Sequence, residues 1–303
     1  MKYAIIGTGA VGGYYGGRLA NAGHDVHFLL HSDYEYVREN GFHVESCNGS
    51  FHLPSPNVYR SVHDMPQADV VIVALKTTRN ALLAELLPPL LHPQTLVLLI
   101  QNGIGLEPDV QKMFPGLWLA AGLAFICSAK TGPGQVSHQC YGHINIGNYS
   151  CPDAHIMEQL IADFNASGIK AAEVEYHEAR WKKAVWNMPF NGMTVVMDAQ
   201  TDKLLQNPST MALIRRQMLE VIGAARASGV QNIDESFADR MIQNTLEMVP
   251  YSPSMKLDHD FHRPMEIDYL YTRAIAEAHK AGFAMPCLEM LEAQLRFIQE
   301  KRI

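Results

Sequence analysis

Lys2-Tyr3-Ala4-Ile5-Ile6-Gly7-Thr8-Gly9-Ala10-Val11-Gly12 is the stretch on which the fold turns. A short apolar run, residues 3–6, leads into a GxGxxG, and a helical pattern over 11–22 leads out of it. In a strand–turn–helix unit the first glycine permits a tight turn. The second lets the backbone come close to a pyrophosphate, and the third lets the helix pack on the strand. The free N–H groups that open the helix then face the phosphates. A glycine-rich packing turn is the bland alternative, but the flanking strand and helix favour a ligand. Gly7, Thr8, Gly9, Ala10, Val11 and Gly12 are therefore candidate cofactor-binding residues.

Further apolar runs follow at 26–30, 70–75 and 95–100, with another near 117–125. Each is apolar on both parities, as strands buried on both faces of a parallel sheet are. Helical spacing between them, for example over 80–91, predicts a doubly wound α/β sheet. Gly132-Pro133-Gly134 marks a turn, and 136–147 alternates like an antiparallel hairpin. From Glu178 onward the chain reads as helices broken near Asn207-Pro208, Gly229, Pro250–Pro253, Arg263-Pro264 and Gly282–Pro286. The expected division is residues 1–175, a Rossmann-type domain, and 176–303, a helical domain.

Composition narrows the function. The 303 residues carry 24 Lys+Arg and 31 Asp+Glu, a net charge of −7, with 48% hydrophobic residues. That is globular usage, and it does not suit a general nucleic-acid binder, which needs clustered cations. The five cysteines, Cys47, Cys127, Cys140, Cys151 and Cys287, are scattered without a CxxC, so neither a disulfide framework nor a metal site is expected. The N-terminal apolar run is too short for a signal peptide, and the apolar stretch over 82–100 is broken by Glu85, Pro88, Pro89 and Pro93. A cytoplasmic protein with no membrane partner is the expectation, and a homodimer is the commonest form of soluble oligomer.

The second strand ends Phe28-Leu29-Leu30-His31-Ser32 with no carboxylate at its tip. NAD sites usually place an acid there, so His31 and Ser32 favour NADPH over NADH. Ser32-Asp33-Tyr34-Glu35 also fits a capping box, so Ser32 is either a phosphate contact or a helix cap. Lys76 and Asn102 follow the third and fourth strands at the edge where ligands of open α/β sheets bind. Each is either a ligand contact or an ordinary loop residue. Lys183, Asn187 and Asn191 share a helical face bordered by Trp and Phe, with Pro189 expected to kink it. That face suits a small oxygen-rich ligand or is a solvated surface. Pro264 is placed to begin a helix, with Glu266 in its first turn.

The ordered set of Gly7/Gly9/Gly12, Lys76, Gln101-Asn102-Gly103, Gly132-Pro133-Gly134, Lys183/Asn187/Asn191, Ser254-Met255 through Asp258 and Arg263-Pro264 with Glu266-Ile267-Asp268 resembles the ketopantoate reductase (2-dehydropantoate 2-reductase) family over the full chain. The resemblance implies a Rossmann domain followed by an all-helical domain like the C-terminal domain of 6-phosphogluconate dehydrogenase, with the active site in the cleft between them. It implies hydride transfer from NADPH to C2 of ketopantoate, giving pantoate for coenzyme A biosynthesis. Lys183 matches the proton donor, Asn102, Asn187, Asn191 and Ser254 match substrate contacts, and Asn102 and Glu266 match cofactor contacts. Many members have Arg where this chain has His31, some have a substrate-binding Asn near Thr201, and some have Asn-Gly where it has Tyr271-Thr272. The competing readings are a related dehydrogenase for another 2-oxo or 3-hydroxy acid, and a dinucleotide-binding regulatory module.

Overall fold

The computed structural model describes residues 1–301. They form two compact units. One is Met1–Gln101 with Leu106–Tyr176; the other is Asn102–Gly105 with the chain from His177 onward. A single division at residue 175 does not foresee the four-residue excursion at Asn102–Gly105.

The first unit is built on one sheet. Its strands are β1 (Lys2–Ile6), β2 (Asp25–Leu29), β3 (Phe42–Ser46), β4 (Phe51–Leu53), β5 (Asn57–Tyr59), β6 (Val70–Val73), β7 (Leu96–Leu99), β8 (Trp118–Gly132), β9 (Gln135–Asn148) and β10 (Ala171–Val174). The order is β4-β3-β9-β8-β7-β6-β1-β2-β5, and β10 also pairs with β9. The run β5-β2-β1-β6-β7-β8 is parallel throughout. Its central strands β6 and β7 are buried at every position, which is why they read as unbroken Val, Ile and Leu. The Rossmann-type sheet read from the sequence is therefore present.

Helix α1 (Ala10–Asn21) follows β1 and packs on the sheet through Tyr14, Tyr15 and Leu19. The remaining helices of this unit are α2 (Tyr34–Asn40), α3 (Leu83–Leu86), α4 (Leu106–Met113) and α5 (Ala154–Ala166). The helix expected over 80–91 is broken into a 3-10 turn at Thr77–Leu82, the single turn α3 and a 3-10 turn at Pro88–Leu90. Pro88 and Pro89 lack the N–H donors that would continue an α-helix. The alternation over 136–147 belongs to one long strand, β9, whose antiparallel partner is β8 across the Gly132–Gly134 turn.

The second unit is helical: α6 (Tyr176–Val196), α7 (Thr201–Gln206), α8 (Pro208–Ala227), α9 (Ser236–Leu246), α10 (Ser254–Asp260), α11 (Arg273–Lys280) and α12 (Pro286–Glu300). Among the described residues no strand follows Val174. The breaks have local causes. Asn207 accepts from the N–H groups of Ser209 and Thr210 at 2.9 and 3.2 Å, with Pro208 at the first helical position, and so starts α8. The Glu220 carboxylate accepts from the N–H of Cys287 (3.0 Å) and Leu288 (3.1 Å) and so caps α12. A separate core that includes Trp181, Val185, Met188, Met218, Tyr271 and Leu288 fills the interior. Pro189 does not interrupt α6. Pro264 does not open a helix: the helical turn begins at Ile267, directly after Glu266, and runs as a π turn over Asp268–Thr272 before α11.

Candidate active site

The glycine loop in the first unit has the geometry of a phosphate cradle. Gly7 has φ +92, and a Cβ there would lie 2.4 Å from the backbone N of Leu75, so only glycine fits. A Cβ on Gly12 would lie 2.3 Å from the Gly7 carbonyl oxygen. Gly9 differs. Its φ is −90, and a Cβ would meet nothing within 4 Å, so the fold itself does not demand glycine there. It is the position where the backbone faces open space at the start of α1. No side chain caps α1, and its first turn carries no acid. An uncapped helix N-terminus beside open space fits the pyrophosphate of a dinucleotide. Thr8 donates to the Leu29 carbonyl at 3.0 Å and ties the loop to the end of β2.

His31 and Ser32 are exposed just past β2. Ser32 does not cap α2; its hydroxyl donates to Asp33 at 2.9 Å, and α2 has no side-chain cap. The Asp33 carboxylate is buried and accepts from Lys130 Nζ (2.6 Å) and the Gly134 N–H (3.0 Å). Burial would raise its pKa, but the bonds from Lys130, Gly134 and Ser32 outweigh that and hold it below the usual carboxylate range. Asp33 thus anchors the β8–β9 turn. Lys130, which neutralises it, is a residue that sequence reading missed because its partner lies 97 positions away. Lys76 is exposed at the end of β6.

The second unit collects Asn102, Lys183, Asn187, Asn191, Ser254 and Glu266. Asn102 reaches it because Gly103 and Ile104 dock on the π turn. Ile104 N–H donates to the Tyr269 carbonyl at 3.0 Å. Gly103 has φ +119, and a Cβ there would lie 2.6 Å from the Tyr269 carbonyl oxygen. Asn187 Nδ2 then lies 3.4 Å from Asn102 Oδ1. Gly103, Arg180, Lys183, Ala184 and Asn187 line one small pocket. Burial, helped by the neighbouring Arg180 guanidinium, pushes the Lys183 amino group down to about 7. Arg180 is itself buried, and nothing in its sequence position announced it.

Asn191 is held by hydrogen bonds within its own unit. Its Nδ2 donates to the Asn187 carbonyl at 2.9 Å, and its Oδ1 accepts the Met255 N–H at 3.1 Å, with Ser254 Oγ at 3.5 Å. It is buried and holds the start of α10 against α6. The reason is its position: an Asn one turn beyond Asn187 reaches both the preceding turn's carbonyl and the open N–H groups of α10. Glu266 is buried immediately before the π turn. Among the described residues no three His, Cys, Asp or Glu side chains are placed to hold a metal ion, and no helix is long and apolar enough to cross a membrane.

Residues 3–150 match the family model for ketopantoate reductase PanE/ApbA, and residues 175–299 match that for the ketopantoate reductase PanE/ApbA C terminal. The chain is 44% identical to a 2-dehydropantoate 2-reductase of Nostoc sp., covering 98% of this chain and 95% of that one. It is similar to the crystal structure of 2-dehydropantoate 2-reductase from Geobacter metallireducens, with TM-score 0.94, 37% identity and all of both chains covered. The enzyme of the same name from Methylococcus capsulatus gives TM-score 0.91 and 32% identity over 100% of this chain and 98% of that one. The matched models together span most of the sequence, and the chain belongs to the ketopantoate reductase family of dinucleotide-binding oxidoreductases.

Proposed function

We propose that this protein reduces the C2 carbonyl of 2-dehydropantoate to the hydroxyl of pantoate with NADPH as reductant. The observation that carries the proposal is the pocket in which Lys183 and Asn187 stand together, where burial also pushes the lysine amino group down to about 7. A group with that pKa readily gives up and regains a proton near neutral pH, which suits a proton donor. When bound, NADPH supplies the hydride that becomes the new C–H bond at C2. Lys183 as ammonium hydrogen-bonds to the carbonyl oxygen and stabilises its growing negative charge. It then passes one proton to that oxygen and is left neutral. Asn102, Asn187 and Ser254 hold the substrate's remaining oxygens, and Asn191 positions Asn187 and Ser254 through its bonds to their segments.

Gly7 through Gly12 take the pyrophosphate, with Lys76 and Glu266 ordering the rest of the cofactor. NADPH is preferred over NADH because neither side chain at the β2 tip, His31 or Ser32, is an acid suited to a ribose 2′-hydroxyl. The nearest carboxylate, Asp33, is engaged by Lys130 and Gly134. The five free thiols suit a reducing cytoplasm, and a homodimer is the assembly we propose. The test is NADPH oxidation with 2-dehydropantoate beside a panel of smaller 2-oxo acids, for wild type and Lys183→Ala. Preference for 2-dehydropantoate with loss of turnover in the variant supports the reading. Equal turnover of the two proteins, or no preference among the acids, overturns it.

A further inference from the structure

We propose that Arg60, at the end of β5, is the residue that reads the 2′-phosphate of NADPH. The inference rests on the reading that the glycine loop holds this cofactor, and it assigns the discrimination to a residue outside the β2 tip. The geometry is a continuous hydrogen-bonded path along the carboxyl edge of the sheet. Thr8 in the glycine loop donates to Leu29 at 3.0 Å, and Leu30 N–H donates to the Tyr59 carbonyl at 2.9 Å. β5 is parallel to β2 with Leu29 opposite Tyr59, so Arg60 leaves the sheet beside Leu30, one residue before His31. Arg60 therefore stands two strands from the phosphate loop, on the order of 10 Å at ordinary strand spacing. A long side chain there spans the ribose side of a dinucleotide laid along this edge.

Its guanidinium is open to solvent, within a cluster in which Arg38 pairs with both Glu35 and Glu39. The Arg60 side chain is 60% exposed, its guanidinium lies 4.8 Å from the centre of the Tyr34 ring, and it pairs with Glu35. Glu35 is shared with Arg38 at 2.9 Å. The two carboxylates nearest the end of β2 are thus both engaged by cations, Asp33 by Lys130 and Glu35 by Arg38 and Arg60. Neither is set to accept from a free 2′-hydroxyl. A guanidinium carries five N–H donors in a planar fork that suits phosphate, and Glu35 engages one of its amino groups. The Tyr34 ring lies beside that fork.

The experiment is a fluorescence titration of the purified protein with NADPH and NADH, with competition by 2′-AMP and 5′-AMP, for wild type, Arg60→Ala and His31→Ala. Losing a charge-assisted contact lowers the preference for NADPH over NADH by about ten- to a hundredfold in Arg60→Ala. The same variant loses its preference for 2′-AMP over 5′-AMP. Circular dichroism of Arg60→Ala verifies the fold, and Arg60→Lys, which keeps the charge, restores part of the preference. Wild-type preference for NADPH with Arg60→Ala retaining it overturns the assignment alone. Loss of the preference in His31→Ala and not in Arg60→Ala moves the phosphate contact to His31. Tighter wild-type binding of NADH overturns the NADPH reading itself and the assignment with it.

Discussion

The side-chain oxygen of Asn191 accepts the backbone N–H of Met255 at 3.1 Å, across 64 residues of sequence. Through this bond α6 sets where α10 begins, and with it where the Ser254 hydroxyl stands. Asn191→Leu is similar in size but removes both bonds and leaves a buried N–H and a buried carbonyl with fewer partners. We expect a stability loss of about 1–3 kcal/mol by chemical denaturation. We also expect KM for the oxo acid to rise with a smaller change in kcat, because Ser254 moves while Lys183 does not. An unchanged denaturation midpoint would show that the bond is dispensable.

As the proton donor we propose, Lys183 should set the pH dependence. Reduction requires the ammonium form, and that form is depleted as pH rises through about 7. kcat/KM for reduction should therefore be level on the acid side of that value and fall above it, while the reverse oxidation of pantoate should gain. Lys183→Met should lower kcat by about 10²–10⁴. Arg180→Gln removes a neighbouring positive charge and should move the falling limb to higher pH. A limb that stays in place would leave burial as the sole cause.

Gly7 and Gly9 should differ in stability, though not in binding, when each is replaced by alanine. Gly7→Ala forces a methyl group against the Leu75 backbone at positive φ, so it should lower the melting temperature as well as cofactor binding. Gly9→Ala places its methyl in open space at an ordinary φ, so the melting temperature should hold. Its binding of NADPH should nevertheless weaken by about tenfold or more if, as we propose, the pyrophosphate approaches the backbone through that space. Isothermal titration beside thermal melts separates the two.

Asp33 gives a stability term that depends on pH. Its folded pKa is depressed, so its contribution is complete above the ordinary carboxylate range near 3.9 and is lost as pH falls through the lower folded value. Asp33→Asn should cost about 1–3 kcal/mol at pH 7 and should converge with wild type in acid. Urea midpoints measured from pH 7 to pH 3 for both proteins test this. Parallel curves would assign the loss to packing.

The parallel core of the sheet was legible because β1, β6 and β7 are apolar on both faces, and a strand buried on both sides has few other ways to be written. The GxGxxG was legible because its spacing after a short apolar run is a local pattern, with Gly7 and Gly12 answering to sterics and Gly9 facing open space. β3, β4 and β5 were not foreseen. They are three to five residues long and carry exposed residues such as His43, His52 and Asn57; β3 and β5 take their pairing from strands further along or back in the chain, and β4 pairs only with β3. Arg60 was hidden with them. Lys183, Asn187 and Asn191 were visible as a helical spacing, but the division of tasks among them was not. Asn187 reaches Asn102 and Asn191 reaches Met255, and both partners are set by tertiary folding. The π turn at Asp268–Thr272 likewise has no signature in its residues.

The excursion at Asn102–Gly105 ties a piece of the first half of the sequence into the helical unit. The backbone passes from one unit to the other three times, at 101/102, 105/106 and 176/177. A fragment beginning at His177 would keep every helix of its unit yet lack Ile104, a member of its core and the donor to Tyr269. Neither half can therefore be exchanged by simple end-to-end recombination without opening a seam in the helical unit. A chimera that replaces the helical half while keeping Asn102–Gly105 would set that segment against a foreign partner at Tyr269.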